Sequence, residues 1–222
     1  MLLFTDIISQ KIKIILLLLI FSIIGLTIYF MLQVYSIEEK EQKSNGVKYV
    51  YYNDRGGLIQ SKRIPKIIDR LVNWGYKIPP TPRLIDTIII HSSYDALGVN
   101  PYSVEGVIYE YKIYGVSPHY LIDRKGTIFR LVKDEYIAYH AGKGKMPDGR
   151  ININSFSIGI ELINTEKDEP TENQYLSLIE LVKFLKSKYK IKYILGHNEI
   201  SPEQKTDPWN FDWQKFNRML KD

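Results

Sequence analysis

The chain has 222 residues, of which 45% are apolar, 13% aromatic and 25% charged, with a net charge of +5 and no cysteine. This composition excludes collagen, low-complexity disorder and long coiled coils, and the missing thiol excludes disulfide scaffolds, iron–sulfur clusters and Cys-type zinc fingers. The mild basic excess suits anionic wall polymers or lipid headgroups, whereas no dense Lys/Arg block or motif points to nucleic acid.

Residues 14–35 carry no charge, follow Lys11 and Lys13, and precede the charged run Glu38-Glu39-Lys40-Glu41. A helix of that length spans about 33 Å, enough for a hydrocarbon core of about 30 Å. The expectation is a signal-anchor helix over 14–35, a cytoplasmic stretch over 1–13, and a C-terminal domain outside the cytoplasmic membrane. A cleaved signal ending near Val34-Tyr35-Ser36 is the competing reading. Residues 36–82 read as a linker and accessory segment, and 83–222 as the folded domain. Within the linker, Tyr49, Tyr51 and Tyr52 suggest an extended piece. Ile67, Ile68, Leu71 and Val72 recur at helical spacing, and Gly75 stands where such a helix would stop.

Beyond Pro79-Pro80 and Pro82 the chain alternates between strand and helix patterns. Buried strands are expected at 86–91, 157–163 and 191–195, and shorter ones at 119–123 and 127–132 around an Arg124-Lys125-Gly126 turn. Helices are expected at 103–114, 172–189 (with Thr171 as N-cap) and 212–220. The implied fold is α/β: a single domain with a central mixed sheet flanked by helices.

All four histidines, His91, His119, His140 and His197, lie in this domain, three of them beside expected strands. Strand ends are where α/β proteins present reactive side chains. Asp207 follows His197 by ten residues. Two imidazoles and a carboxylate leave a fourth tetrahedral position open, as in catalytic zinc sites. Spacing alone does not choose which histidines bind.

Five segments then occur in one order: Ile88-Ile89-Ile90-His91-Ser92-Ser93; Ser117-Pro118-His119-Tyr120; Ala138-Tyr139-His140-Ala141-Gly142; Ser157-Ile158-Gly159-Ile160-Glu161-Leu162; and Gly196-His197-Asn198 through Lys205-Thr206-Asp207-Pro208. The series resembles the zinc-dependent N-acetylmuramoyl-L-alanine amidases of the type-2 amidase and peptidoglycan-recognition superfamily, over about residues 84–213. The resemblance implies one zinc per chain on His91, His197 and Asp207. It implies Glu161 as the acid–base group and Lys205 as the oxyanion partner. Independently, the apolar strand around Glu161 should raise its pKa toward a useful base value. Weaker candidates are His140 for contact with substrate or the reacting centre, Asn164 for a hydrogen bond to a stem peptide or to the ligand loop, and His119 as a structural residue packed close to the site. Tyr139 stands where the family commonly has tryptophan. The expected reaction is hydrolysis of the lactyl amide between N-acetylmuramic acid and L-alanine, in peptidoglycan or muropeptides. The alternative is a non-catalytic peptidoglycan-binding module. A metallopeptidase is disfavoured because no His-Glu-x-x-His occurs.

Overall fold

The computed structural model describes residues 25–26, 46–52 and 58–221. Residues 25 and 26 are helical; the rest of the apolar run 14–35 lies outside the described residues. Among the described residues no helix is long and apolar enough to cross a membrane. The expected single-pass placement of the domain outside the cytoplasmic membrane is contradicted by that finding, and the helix expected over 14–35 gains no support from the described residues.

Strands β1 (Gly46–Tyr52) and β2 (Leu58–Pro65) form an antiparallel hairpin. The main sheet uses β3 (Ile67–Asp69), β5 (Thr87–Ser93), β6 (Tyr120–Ile122), β7 (Ile128–Arg130), β9 (Ser157–Ile163) and β10 (Tyr193–Gly196), in the order β10-β5-β9-β6-β7-β3. All pairs are parallel except β6–β7, so the sheet is mixed, as expected. Strands β4 (Tyr76–Lys77) and β8 (Ile137–Ala138) make a small separate pair.

Where helical spacing suggested a helix over 67–72, the chain is extended. Ile67 pairs with Ile128, and the amides of Arg70 and Val72 donate to the carbonyls of Arg130 and Leu131 at 3.0 and 2.9 Å. Ladder bonds to β7 satisfy the backbone that a helix would have satisfied internally. Gly75 has another role than stopping a helix. Its φ is +70°, and a Cβ there would lie 2.4 Å from the Val116 carbonyl carbon.

Period-2 alternation divides the sheet into two faces. Ile88, Ile90, Tyr120, Ile122, Ile158, Ile160 and Leu162 form one face, packed against Tyr175, Leu178, Val182 and Leu185 of α2 (Glu172–Lys188) and Phe216 of α4 (Trp213–Lys221). Helix α2 begins as its sequence implies. The Thr171 hydroxyl accepts from the Gln174 amide at 3.1 Å, and the Gln174 side chain returns a bond to the Thr171 amide at 3.0 Å.

The opposite face carries two smaller apolar clusters. One packs Leu121 and Ile163 against Val107 and Tyr111 of α1 (Val104–Tyr114). The other packs Ile89 against Ala141, Met146, Ile153 and Ile200. Burying a side chain of this size contributes about 1.5–3 kcal/mol, so each cluster anchors its loops firmly. His91, Ser93, Gly159 and Glu161 belong to this second face by alternation.

Candidate active site

Strand register assembles the site. His91 on β5 stands opposite Glu161 on β9, and Leu121 of β6 flanks Glu161 on its other side. On the other neighbour of β5, Gly196 of β10 pairs with Ile90. The next residue, His197, opens α3 (His197–Ile200) and comes to rest beside His91, with ring centroids 4.4 Å apart. Asp207 is brought back to both by its loop, whose carbonyl accepts from the Asn198 amide at 2.8 Å.

The Asp207 carboxylate lies 3.1 Å from His197 Nδ1 and 3.3 Å from His91 Nδ1. One ligand atom from each of the three residues lies within 4.8 Å of the others. All three side chains are buried. Burial lowers the His91 pKa to about 4, which keeps the ring neutral and available as a ligand. Burial opposes the charge on Asp207, but the adjacent His197 and His91 rings outweigh that and hold the carboxyl well below the usual range. The far nitrogens are occupied too: His197 Nε2 lies 3.2 Å from the Ala141 carbonyl, and His91 Nε2 lies 3.0 Å from His140 Nδ1. Two imidazoles and a carboxylate, each ring backed by a hydrogen bond, fit a tetrahedral zinc with an open position.

A cleft of about 290 Å³ opens over these residues. Glu161, His140, Tyr111, Ser117, Pro118, Tyr139, Asn154 and Lys205 line it, Lys205 from an exposed position. Glu161 is 9% exposed, and its Oε2 has no hydrogen-bond partner. Burial, with the charge of Asp207 adding to it, raises its pKa to about 8. A hydrogen bond from Ser93 works the other way. Ser93 itself bonds the Tyr111 hydroxyl at 2.5 Å.

Of the residues singled out in the sequence, His91, His197, Asp207, Glu161, Lys205 and His140 converge on this cleft. Two do not. His119 lies behind His140, their rings 5.6 Å apart, and its own nitrogens meet the Gly159 amide and the Tyr136 carbonyl at 3.1 Å. Burial drives its pKa to about 3. Asn164 is fully buried away from the cleft, where it bonds Arg124 and donates to the Asp168 carbonyl at 2.7 Å. Its amide also lies 3.5 Å from the Trp209 carbonyl, in the loop that carries Asp207, so it holds loops around the site, the second of its two expected roles, and not a substrate. Sequence reasoning missed Ser93, Tyr111, Asn154 and Ser157. Alternation from His91 and Glu161 would have placed Ser93 and Ser157 on the same face.

The model of the family described as "Amidase_2: N-acetylmuramoyl-L-alanine amidase" matches residues 79–210. The chain belongs to this amidase family. The 1,6-anhydro-N-acetylmuramyl-L-alanine amidase AmpD of Haemophilus influenzae is 39% identical over 127 residues, covering 55% of this chain and 66% of that protein. AmpD of Escherichia coli K12 is 41% identical over 108 residues, covering 47% and 58%. The chain thus spans less than two thirds of the length of either relative. Among solved structures, that of a selenomethionine AmpD derivative superposes with a TM-score of 0.59 at 31% identity, over 68% of this chain and 94% of that one. The complex of Escherichia coli AmiD with an anhydro-N-acetylmuramic acid peptide shares the fold, at 24% identity and a TM-score of 0.54, over 76% of this chain and 65% of that one.

Proposed function

We propose that this amidase-family domain hydrolyses the lactyl amide that joins N-acetylmuramic acid to the L-alanine of a stem peptide. One observation carries the reading: a His-His-Asp triangle sits beside a buried carboxyl that has a raised pKa and an oxygen without a partner. His91, His197 and Asp207 would hold one zinc ion, which supplies Lewis acidity toward a carbonyl and toward water.

The rest falls to the side chains. Glu161 lines the cleft and has a proton affinity near neutrality, so it takes a proton from water as that water attacks the lactyl carbonyl carbon. Lys205 in the cleft lining brings a positive charge to the oxyanion that develops there. The carbon–nitrogen bond breaks as Glu161 gives its proton to the departing nitrogen. The products are a muramic carboxylate and a peptide with a free L-alanine amine. The apolar strand around Glu161 keeps bulk water away, which maintains the raised pKa between the two transfers.

The test is mass spectrometry of defined muropeptides, both 1,6-anhydro and reducing-end forms, incubated with the protein with and without a chelator. The expected result is chelator-sensitive release of a peptide beginning with L-alanine. Asp207→Ala should abolish both zinc binding and release. Intact muropeptide from a zinc-loaded protein would overturn the hydrolytic reading in favour of recognition.

A further inference from the structure

Behind His91 runs a chain of hydrogen bonds that leads away from the cleft. His91 Nε2 meets His140 Nδ1 at 3.0 Å. His140 Nε2 meets Ser157 Oγ at 3.1 Å. Ser157 Oγ lies 2.7 Å from the Ile153 carbonyl oxygen. The terminal group sets the direction of every proton. A carbonyl only accepts, so the Ser157 hydroxyl donates to it. Ser157 Oγ therefore accepts from His140 Nε2–H. A neutral His140 then has its lone pair on Nδ1, which accepts from His91 Nε2–H. That leaves the His91 lone pair on Nδ1, the nitrogen facing Asp207 and His197.

The next residue does the same for the second ring. The Ala141 carbonyl accepts from His197 Nε2–H at 3.2 Å, so this lone pair also sits on Nδ1. Two consecutive residues thus orient both imidazoles. Their own amides are pinned by one acceptor, Asn154 Oδ1, at 3.2 and 2.8 Å. Room for the His140 ring comes from Gly159. A Cβ on that residue would lie 2.4 Å from His140 Cγ and 2.5 Å from its Nδ1.

We propose that His140, backed by Ser157 and admitted by Gly159, is a positioning residue that selects the metal-binding tautomer of His91. The inference rests on the metal-centre reading above and assigns His140 no contact with the reacting bond. Partners of this kind typically change metal affinity by about 10–100-fold.

The test uses the full chain and zinc alone, with affinity read by competition against a chromogenic chelator. His140→Phe keeps a ring but loses both polar atoms, and should weaken zinc binding by about 10–100-fold. His140→Gln restores an acceptor toward His91 and a donor toward Ser157, and should recover most of that loss. In the zinc-loaded wild type, long-range proton–nitrogen NMR should find His140 as the Nε2–H tautomer. Should His140→Phe fail to fold, Ser157→Ala decides, because it frees His140 to turn its proton toward His91 and should weaken zinc several-fold. Wild-type affinity in a folded His140→Phe or Ser157→Ala protein would overturn the proposal, as would an Nδ1–H tautomer in the wild type. A wild type that binds no zinc would overturn the metal centre itself, and this inference with it.

Discussion

Two buried carboxyls lie on different parts of this fold and are treated in opposite ways. Asp134 is 2% exposed, and both of its oxygens are occupied: Tyr120 donates at 2.5 Å, Lys188 at 2.7 Å and Tyr189 at 2.9 Å. Burial works against its charge, yet those bonds win and lower its pKa. Glu161 is 9% exposed, has an oxygen with no partner, and is raised to about 8. The fold is able to satisfy a buried carboxylate and does so at Asp134. At Glu161, in the lining of the cleft, it leaves one oxygen without a partner. Burial alone therefore does not mark a reactive acid; burial with an unfilled oxygen, on a residue that lines a cavity, does.

The contrast is sharpest in its expected response to mutation. Glu161→Gln should lower kcat by about 10²–10⁴-fold while zinc affinity stays near wild type and folding stability does not fall. Retained kcat would remove Glu161 from the chemistry and break the comparison. Asp134→Ala should do the reverse. It strands Lys188, Tyr120 and Tyr189 and should cost about 3 kcal/mol of stability, with kcat of the folded fraction unchanged. Urea denaturation beside steady-state kinetics checks both variants.

A third effect follows from the same contrast. In the metal-free protein, Glu161 holds a proton up to about pH 8, whereas in the unfolded chain it releases that proton near pH 4.5. Where the native state binds the extra proton, stability falls as pH rises. His91, lowered to about 4, gives the opposite slope between about pH 4 and 6.5, so the Glu161 slope stands clear of it only above that. Stability should drop by about 2 kcal/mol between pH 6.5 and 8, and Glu161→Gln should flatten the profile. A flat wild-type profile would deny the raised pKa. The smallest effect belongs to the exposed pair of Arg70 and Glu105, joined at 2.6 and 2.7 Å. Glu105→Ala should cost less than about 1 kcal/mol and fade in high salt.

Much of this molecule was legible along the chain. Strand β9 has the expected bounds, α2 starts at its capping residue, and His91, His197 and Asp207, the candidate ligands implied by the resemblance, come together in space. What failed has physical causes. The apolar residues at 67–72 recur as a helix would, but helix propensity is weak beside a free strand edge on β7. Asn164 follows the strand that carries Glu161, but its amide is taken up by Arg124, forty residues away in the chain, and by the nearby Asp168 carbonyl. The apolar run at 14–35 has the length of a membrane span, and all of it except residues 25 and 26 lies outside the described residues.

By itself, the sequence determined what depends on neighbours along the chain: alternation within strands, capping of helices, and which residue types could ligate or carry a proton. Tertiary structure decided what depends on neighbours across it. It turned Nδ1 of two histidines toward one carboxylate, backed one ring with His140 and the other with the Ala141 carbonyl, and left one oxygen of Glu161 without a bond. Strand register and loop return govern those outcomes, and they bring together residues more than a hundred positions apart.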